Sequence, residues 1–559
     1  MGKEVCHINN KECVVESRYY QDGETWDDLS LRVSQEIASI EETEGHVEEF
    51  LHILQNKLFI PGGRILRNAG AGGVKRNLLN CFVLPIGDSI EAIGDCIRNS
   101  LVTWAYGGGV GVNFSVLRPV GTDIKGKGGA SSGLVSFMEA MNGVADTIEC
   151  GGQRRSATIA IVDISHPEIE EFMDSKLKHG KLKNFNISVG INNDFLEAVE
   201  RDNGWDLTFQ NKVYKTIPAR RLWNKILSNI INCAEPGILN FSNLTKANSY
   251  YFAPIIGTNP CGELPLPAYG SCDLGSLVLP KFVTKGGQTQ WQELKQVIKS
   301  GVRFLDNVID LTHYPILQMK EVAESSRRIG LGIMGLADYL FKKQIRYGSE
   351  EAMEEIDRLF KFIRNIAYEA SVDLSEEKGA FPKFHAVDYG KASFVRKLPA
   401  SLRKRIKEKG IRNVALLTCA PTGTTSMVVG VTSGIEPLFS KGHRRKDRLG
   451  DRIILHPLYE ELLKENKQSP EWYVDSYDLT PEQHFETQAV IQKYIDGSIS
   501  KTINLPVGTT VKQLAEWMHE YAFDLKGVTV YVDKSREEQV LYPITKKEAL
   551  EYLKEEKGE

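Results

Sequence analysis

Three side chains that could act together on one small substrate lie within five residues: Asn259, Cys261 and Glu263. In an extended strand, side chains two positions apart share a face, so this spacing predicts that an amide, a thiol and a carboxylate converge on one point. A carboxylate beside a hydrogen-bonding amide suits proton transfer to and from a hydroxyl group. A second thiol follows at Cys272. Residues 259–274 are therefore the first candidate for a reactive segment.

A second candidate is the run of small and hydroxyl-bearing residues at 421–426. The apolar residues 413–420 before it predict a strand, and the residues after it predict the start of a helix. Glycine lets the backbone approach a ligand closely, and hydroxyl groups with free amides at a helix start can hold a phosphate. The candidate phosphate-binding residues are Pro421, Thr422, Gly423, Thr424, Thr425 and Ser426. An ordinary Ser/Thr helix cap explains this pattern about equally well.

Three further segments carry weaker signals. Residues 107–114 fail the G-x-G-x-x-G pattern because position 114 is Phe, so they indicate close backbone approach without indicating dinucleotide binding. Residues 121–128 nearly match a P-loop, but Gly128 stands where a magnesium-binding Ser or Thr is required. The basic run 176–183 is either a solvated loop or a mobile loop that contacts nucleotide.

The remaining cysteines give no chemistry from their local sequence. Cys81 lies inside the apolar run LLNCFVLP, where a cysteine is by default an inert core residue. The same interpretation applies to Cys96, Cys150, Cys233 and Cys419. Cys6 and Cys13 have a spacing unlike the usual zinc pairs and stay unassigned. Nine cysteines, an odd number, do not form a disulfide framework in a chain of 559 residues, which favours a reducing, cytoplasmic location.

Charge and hydropathy argue against two classes of partner. The chain has 69 basic and 73 acidic residues, which gives no case for a nucleic acid or an anionic membrane as a partner.

The first ten residues lack an apolar run, so no signal peptide is expected. The uncharged residues 414–435 are long enough to span a bilayer, but their Pro, Gly and Thr content predicts a strand, a loop and a helix start.

The pattern along the chain predicts an α/β protein with a small helical N-terminal region. Helical periodicity over residues 24–57 places that region at 1–75. From Leu78 onward, short apolar runs such as ATIAIVDI and FNISVGI alternate with helical segments, which is typical of largely parallel strands. The predicted helices include residues 88–106, 131–149 and 351–378. The charged residues 542–559 predict a terminal helix or tail.

In combination, these segments resemble the catalytic chain of the ribonucleotide reductases, specifically the adenosylcobalamin-dependent class II enzymes. The matching motifs are LLNCFVLP, GGGVGVNFSVLRP, GGQRRSATIAIVDISHPEI, KLKNFNISVGI, NPCGELPL with SCDLGSL, APTGTTSMVVGVTSGIEPLFS, DGSISKTINLP and KGVTVYVDKSREEQVL. They follow one another from about residue 58 to residue 541, so the resemblance covers nearly the whole chain.

The resemblance implies a ten-stranded α/β barrel over residues 76–541, with a central finger loop whose tip carries Cys261. It implies that Cys261 forms a thiyl radical that abstracts the 3′ hydrogen of the ribose. Glu263 would be the base on the 3′-hydroxyl, and Asn259 would hydrogen-bond nearby. Cys81 and Cys272 would be the reductant pair: one protonates the departing 2′-hydroxyl and the two end as a disulfide. For Cys81 this replaces the inert-core interpretation.

The resemblance also implies two nucleotide sites. The 421–426 loop would hold the ribonucleotide phosphates, and Gly109 would make a backbone contact to that substrate. A dNTP effector would bind at the interface of a homodimer, in which the helices at 88–106 and 131–149 pack against their twins. Residues 176–184 would relay effector identity to the base pocket. The residues that match the effector-binding set are Asp88, Arg118, Lys125, Lys176 and Lys181.

The class assignment depends on absent motifs. Class I chains have two adjacent tyrosines near the C-terminal end, whereas here Tyr531 is followed by Val532. No glycyl-radical tail is present. The remaining class takes its radical from adenosylcobalamin, and without an Asp-x-His-x-x-Gly motif no metal-ligating residue is predicted. The alternatives are a class I large subunit that needs a radical-generating partner and a non-catalytic nucleotide-binding relative.

Two departures from the family pattern bear on partners and regulation. No cysteine follows Cys419, although many family members end in a Cys-x-x-Cys tail that reduces the buried disulfide again. The expected thiol reductant is therefore a small dithiol, or thioredoxin acting through a separate Cys-x-x-Cys protein or tail. The N-terminal region is too short for an ATP-cone domain, so no overall activity site is expected. The dimer-type helices favour diphosphates over triphosphates as substrates.

Overall fold

The computed structural model describes residues 15–73, 76–124, 128–150, 154–155, 157–177, 180–447, 450–533, 535 and 541–557. Lys125, with its predicted effector role, lies outside the described residues, as do the unassigned Cys6 and Cys13.

Nineteen strands are assigned within the described part of the chain. They are β1 (Phe59–Pro61), β2 (Cys81–Leu84), β3 (Gly109–Asn113), β4 (Glu149–Cys150), β5 (Arg154–Arg155), β6 (Thr158–Asp163), β7 (Phe185–Ile191), β8 (Gly204–Phe209), β9 (Lys212–Pro218), β10 (Gly237–Asn240), β11 (Gly257–Thr258), β12 (Pro265–Leu266), β13 (Leu274–Val278), β14 (Gly330–Met334), β15 (Gly442–Asp447), β16 (Gly450–Leu455), β17 (Thr502–Leu505), β18 (Gly527–Val532) and β19 (Leu541–Pro543).

The α-helices lie between these strands and at both ends of the chain. They are α1 (Trp26–Ala38), α2 (His46–Gln55), α3 (Gly63–Asn68), α4 (Ile90–Ala105), α5 (Leu134–Ala145), α6 (Ile169–Asp174), α7 (Asn193–Glu200), α8 (Ala219–Cys233), α9 (Phe241–Ala247), α10 (Trp291–Leu311), α11 (Leu317–Ser326), α12 (Leu336–Lys342), α13 (Glu350–Lys378), α14 (Ala386–Tyr389), α15 (Ser393–Arg396), α16 (Ala400–Lys409), α17 (Thr425–Val429), α18 (Pro457–Lys464), α19 (Pro481–Gln492), α20 (Val511–Tyr521) and α21 (Lys546–Lys557).

The main sheet has seven strands in the order β17-β18-β10-β7-β6-β3-β2. From β2 to β10 the neighbouring strands are parallel, and β18 pairs antiparallel with β10. Nearly every residue of β6 and β7 is buried, as expected for parallel strands with both faces covered. The mixed α/β class predicted from the sequence is confirmed.

A smaller sheet has the order β1-β13-β14, with β13 and β14 parallel. A single bridge links it to the main sheet, where Phe82 of β2 pairs with Ser271 just before β13. At its other edge Leu331 of β14 pairs with Leu417, which lies in no assigned strand. A further bridge joins Cys419 to Ile499, three residues before β17. The main sheet and this smaller sheet are therefore connected through single residue pairs, and they do not form a continuous ladder of ten strands.

The helical segments agree with the periodicity of the sequence. The N-terminal region contains α1 and α2, and Arg303 of α10 binds Glu41, between these helices, at 3.0 Å. The predicted helix at 351–378 is α13, and the charged tail contains α21. Residues 414–435 hold the bridged residues, a loop and α17, and no helix in the described part of the chain is long and apolar enough to cross a membrane.

Candidate active site

Cys261 lies at the tip of a short hairpin, here called the finger (residues 257–266). Its two strands, β11 and β12, pair antiparallel, and the amide of Gly262 donates to the carbonyl of Asn259 at 2.9 Å. Gly262 has a φ of 81°, which closes a tight turn. The predicted extended edge is therefore wrong: the turn leaves Cys261 exposed, whereas Asn259 and Glu263 are buried.

The glycine-rich strand β3 makes room for the finger. A Cβ atom at Gly111 would lie 1.9 Å from the carbonyl oxygen of Thr258. A Cβ atom at Gly109 would lie 3.0 Å from both the Sγ atom of Cys81 and the Cγ atom of Pro260. The close backbone approach predicted for residues 107–114 is confirmed, and it is an approach to the finger.

Three side chains hold the backbone of the finger in place. Asn113 Nδ2 donates to the carbonyl of the residue before β11 at 2.8 Å, and Asn186 Nδ2 donates to that of Pro260 at 3.2 Å. On the other arm, Arg328 Nη1 donates to the carbonyl of Pro265 at 2.9 Å. The finger thus has a fixed position relative to β3 and β7, as a catalytic group requires.

Cys81 and Cys272 are brought together although they are far apart in sequence. The amide of Cys272 donates to the carbonyl of Cys81 at 2.9 Å, next to the bridge between Phe82 and Ser271. Burial raises the pKa of the Cys272 thiol well above its usual value, and the neighbouring Cys81 thiol raises it further. Cys272 is therefore a protonated thiol at neutral pH, beside a second thiol that packs against Gly109.

Burial raises the pKa of Glu263 to about 7, and the nearby Asn259 amide opposes that shift. Within the part of the chain that the structure describes, Glu263 Oε2, Asn259 Nδ2, Thr258 Oγ1 and Ser498 Oγ are buried without a hydrogen-bond partner. An unsatisfied buried polar group costs about 1–3 kcal/mol, so four of them around one turn mark a place where a polar ligand would fit.

Cys419 belongs to the wall of the same site. Burial raises the pKa of Cys419, as it does that of Cys272, and the charge of the nearby Glu263 carboxyl adds to both shifts. Cys96 is also buried, in α4, and Cys233 is half-buried at the end of α8. The side chain of Cys150 lies outside the described residues.

The 421–426 loop uses part of its polar groups for its own conformation. Thr422 has a φ of 46°, and its hydroxyl accepts a hydrogen bond from the amide of Gly434 at 2.7 Å. The hydroxyl of Ser426 lies 3.1 Å from that of Ser433. Gly423 is exposed, and a Cβ atom there would meet nothing within 4 Å. Pro421 and Thr424 flank this open part of the loop, and Thr425 begins α17.

The predicted effector residues separate into two groups. Arg118 Nε donates to both carboxylate oxygens of Asp88, at 3.0 and 2.9 Å. The two lysines lie on other carboxylates: Lys176 Nζ is 2.8 Å from Glu235, and Lys181 Nζ is 2.8 Å from Glu139 of α5. The structure thus brings Asp88 and Arg118 together and does not bring Lys176 or Lys181 to them.

Two residues that the sequence did not single out support Glu263. The hydroxyl of Thr418 donates to the carbonyl of Glu263 at 2.8 Å, and the amide of Ser498 donates to the same oxygen at 2.7 Å. Ser498 lies in the motif DGSISKTINLP, which matched only as part of the resemblance, and Thr418 lies in the apolar run 413–420 before the 421–426 loop. The short Ser-rich motif before Lys501 was the one local signal that could have drawn attention to Ser498.

A cavity of about 1570 Å³ lies beside the 421–426 loop. Its walls come from that loop, from the β15–β16 hairpin, from β17 and β18, and from α21. Residues that represent these walls are Gly423, Met427, Phe439, His443, Ile454 and Tyr531. Burial lowers the pKa of His443 to about 4, so its ring is neutral at pH 7.

Family comparisons agree with this geometry. Residues 79–532 match the family described as "Ribonucleotide reductase, barrel domain", and residues 12–73 match "Ribonucleotide reductase, all-alpha domain". A relative from Thermoplasma acidophilum, named vitamin B12-dependent ribonucleoside-diphosphate reductase, is 36% identical over 89% of this chain and 66% of its own length. A relative of the same name from Mycobacterium tuberculosis is 34% identical over 88% of this chain and 73% of its own length.

A more distant relative has a name that does not mention vitamin B12. The ribonucleoside-diphosphate reductase subunit alpha of Chlamydia muridarum is 26% identical over 82% of this chain and 48% of its own length. The higher identity to the vitamin B12-dependent proteins confirms the resemblance inferred from the motifs. The match of the barrel-domain family over residues 79–532 leaves one conclusion: this chain belongs to the ribonucleotide reductase family.

Proposed function

We propose that this chain reduces ribonucleotides, as diphosphates, to 2′-deoxyribonucleotides by radical chemistry that depends on adenosylcobalamin. The observation that carries the proposal is the meeting of Cys81, Cys272 and the finger tip around Gly109. Membership of the family supports the reaction type. The names of the Thermoplasma and Mycobacterium relatives support the cofactor and the diphosphate level of the substrate.

Each residue of the finger has a role that its environment supports. Cys261, at the exposed tip, takes the 3′ hydrogen of the ribose as a thiyl radical and returns it at the end. Glu263 takes the proton of the 3′-hydroxyl, and a pKa of about 7 suits a base that gains and loses a proton at neutral pH. Asn259 Nδ2, which has no partner among the described residues, donates to the ribose.

The cysteine pair supplies the two electrons. The bond from C2′ to its hydroxyl breaks, the hydroxyl leaves as water after taking a proton from one thiol, and hydrogen from the pair replaces it at C2′. The two sulfur atoms of Cys81 and Cys272 then form a disulfide. The raised pKa of Cys272 supports this role, because the donor must be a thiol and not a thiolate.

The 421–426 loop is proposed to hold the substrate phosphates. Its exposed Gly423 allows close approach, and the amides at the start of α17 offer donors, with Pro421, Thr422, Thr424, Thr425 and Ser426 shaping the loop. The loop closely follows Thr418, whose hydroxyl donates to the carbonyl of Glu263. Phosphate binding at the loop would therefore fix the ribose relative to the finger.

A closed ten-stranded barrel over residues 76–541 is the architecture that we propose. Single bridges at both edges of the main sheet support it, because each lies where a further strand pair would complete the ring. The helical region 1–75 and the segment 542–559 would be attached to this barrel as separate parts.

The large cavity fits a bulky cofactor. Its volume of about 1570 Å³ exceeds the roughly 300–1,000 Å³ that is typical of small-molecule sites. His443 Nδ1 is buried and has no hydrogen-bond partner among the described residues, so it would accept from an amide of a corrin side chain. Met427, Phe439 and Ile454 would cover the apolar faces. When bound, adenosylcobalamin supplies the radical from which Cys261 is activated.

Regulation by a dNTP at a dimer interface is part of the proposal. Asp88 and Arg118 lie together at the start of α4, and their charges suit a ribose hydroxyl and a phosphate. Helices α4 and α5 would face their twins. Lys176 and Lys181 would contact the effector only after leaving the carboxylates that hold them, and Lys125 stays a proposed member of the effector set.

The reductant is proposed to be a dithiol or a separate Cys-x-x-Cys protein. Cys272 is fully buried, and a buried disulfide is reached by a small thiol more easily than by a folded protein. Small dithiols should therefore support turnover, and thioredoxin alone should support it poorly.

The test uses the purified chain with adenosylcobalamin, dithiothreitol and each of the four ribonucleotides, as diphosphates and as triphosphates. Deoxynucleotide formation from the diphosphates, without any second protein, is the expected result. Activity that appears only when a radical-generating subunit is added would instead support the class I alternative. No product under either condition, with nucleotide binding retained, would support the non-catalytic alternative.

A further inference from the structure

Lys526 is a buried lysine whose side-chain nitrogen serves one turn. It lies directly before β18 and is 4% exposed. Its Nζ atom donates to the carbonyls of Ile495, Asp496 and Gly497, at 3.0, 2.8 and 2.6 Å. A lysine ammonium has three donors, so three consecutive carbonyls use all of them. Such an arrangement fixes the turn at 495–497 in one conformation.

The same turn holds the segment 416–418, which leads to the 421–426 loop and lies in no assigned strand. The carboxylate of Asp496 accepts from the amides of Leu416 and Leu417, at 2.7 and 2.8 Å. The amide of Gly497 donates back to the carbonyl of Leu417 at 2.9 Å. The turn and the segment 416–418 are therefore one hydrogen-bonded unit.

This unit holds Glu263. Of the two donors to the carbonyl of Glu263, Thr418 belongs to the segment 416–418 and Ser498 follows the turn. A chain of hydrogen bonds thus runs from Lys526 through residues 495–498 to the backbone of the proposed base. Neither Lys526 nor a residue of the 495–497 turn is assigned a contact to the substrate in the proposed reaction.

We propose that Lys526 is a positioning residue, whose clamp on the 495–497 turn fixes the orientation of Glu263. The inference depends on the proposed function, in which Glu263 is the base. Loss of the clamp would let the Glu263 backbone shift, and a misplacement of about 1 Å in an active site can cost about 100-fold in rate.

The test compares Lys526→Met with the wild type, and with Lys397→Met as the matched control. Lys397 is an exposed lysine near Lys526, so the control removes the same charge without touching the turn. We expect Lys526→Met to lower kcat about 10- to 100-fold, with KM changed much less. The control should stay within twofold of the wild type.

A pH profile separates positioning from loss of folded enzyme. Glu263, with a pKa of about 7, should give the acid limb of kcat, because the titratable groups that face it, Cys272 and Cys419, keep their protons over this range. In Lys526→Met the loosened, better hydrated Glu263 should move that limb to lower pH. Burial lowers the pKa of Lys526 to about 7, but loss of that proton as the pH rises would affect the basic limb of the kcat profile and not the acid limb. A smaller folded fraction would scale the profile without moving it.

Hydrogen–deuterium exchange tests the clamp without the reaction. The amides of Leu416, Leu417 and Ser498 should exchange faster in Lys526→Met, while those of α1 in the N-terminal region, which packs against α2 and α10, should not. If the wild type made no deoxynucleotide but these amides responded, the proposed function would fail and the clamp would stand. Unchanged exchange together with an unmoved acid limb would overturn the clamp.

Thr418→Val provides a second variant if Lys526→Met does not fold. It removes the hydroxyl that donates to Glu263 and nearly keeps the shape of the side chain. We expect the same direction of change, a lower kcat and a shifted acid limb. A wild-type kcat with an unmoved limb in Thr418→Val would contradict the link between the clamp and Glu263.

Discussion

The finger and the Asp88–Arg118 pair hold their polar groups in opposite ways. Within the described part of the chain, Asn259 Nδ2 and Glu263 Oε2 are buried without a partner. Asp88 and Arg118 satisfy each other at 2.9 Å and are partly exposed, by 21% and 28% of their side chains. The finger therefore gains hydrogen bonds when a ligand arrives, whereas an effector at Asp88 must exchange one partner for another.

This contrast separates two tasks. A rigid turn with unsatisfied groups favours one substrate geometry and is suited to chemistry, because no partner has to be displaced first. A solvated ion pair that opens at small free-energy cost is suited to a graded response to different effectors. Changes at the finger should accordingly abolish or greatly slow the reaction. Changes at Asp88 should alter the preference among the four substrates and leave the reaction itself intact.

The largest expected effect is at the finger tip. Cys261→Ser should reduce deoxynucleotide formation to background while nucleotide binding stays within a few-fold, because an alkoxyl radical is a poor substitute for a thiyl radical. The measurement is product per enzyme over many turnovers. Cys233→Ser is the matched control, since its thiol donates to backbone carbonyls that a hydroxyl serves equally well. Multiple turnover by Cys261→Ser would contradict the proposed role of Cys261 as a thiyl radical.

A second change moves the finger without altering its chemistry. Gly111→Ala places a Cβ atom 1.9 Å from the Thr258 carbonyl, so the finger must shift, and a shift of about 1 Å should cost about 100-fold in kcat. Gly286→Ala is the control, because its nearest atom is 3.8 Å away. Equal kcat values for the two variants would mean that catalysis does not depend on the close contact between the finger and β3.

At the Asp88–Arg118 pair the expected effect is on the preference among the four substrates. Asp88→Ala should remove most of the effector-dependent change among the four substrates, a coupling of about 1–3 kcal/mol or roughly 5- to 150-fold. Basal turnover without effector should remain. Glu197→Ala, which breaks an exposed ion pair with Arg201 elsewhere, should leave the effector response intact. A wild type that ignores every effector would show that the pair has another role.

The smallest expected effect is on stability. Burial raises the pKa of Glu263 from 4.5 to about 7, so the folded chain holds this proton more tightly than the unfolded chain. The stabilising contribution is complete below pH 4.5 and is lost as the pH rises through 7, by as much as about 3 kcal/mol. Relative to Glu263→Gln, the wild type should thus lose free energy of unfolding between pH 4 and pH 8. The measurement is urea unfolding of both proteins at pH 4 and pH 8. An equal difference in the free energy of unfolding between wild type and Glu263→Gln at the two pH values would contradict a raised pKa at Glu263.

Local patterns in the sequence were sufficient to predict many of the helices and strands. The apolar runs at β6 and β7 and the helical periodicity of α13 are local signals, and the structure has these elements where they were predicted. The finger was different: its residue types indicated the chemistry, but period-2 spacing predicted a strand where Gly262 makes a turn. A single glycine in the left-handed region overrides the spacing of its neighbours.

Contacts between distant residues left no local signal. Nothing around Cys81 distinguishes it from a core cysteine, and only the resemblance paired it with Cys272. The ion pair of Lys176 with Glu235 and the clamp of Lys526 likewise join segments that are separate in sequence. Lysine before an apolar strand is usually solvated, so Lys526 gave no reason to expect a buried ammonium.

The central claim is that Cys81 and Cys272 reduce the substrate. The most direct measurement is a single turnover: the pre-reduced chain, freed of reductant, is mixed with adenosylcobalamin and a ribonucleoside diphosphate, and its peptides are examined by mass spectrometry. The account predicts at most one deoxynucleotide per chain, with an equal amount of Cys81–Cys272 disulfide. Stoichiometric product with both residues still as thiols, or with a disulfide at other cysteines, would contradict it.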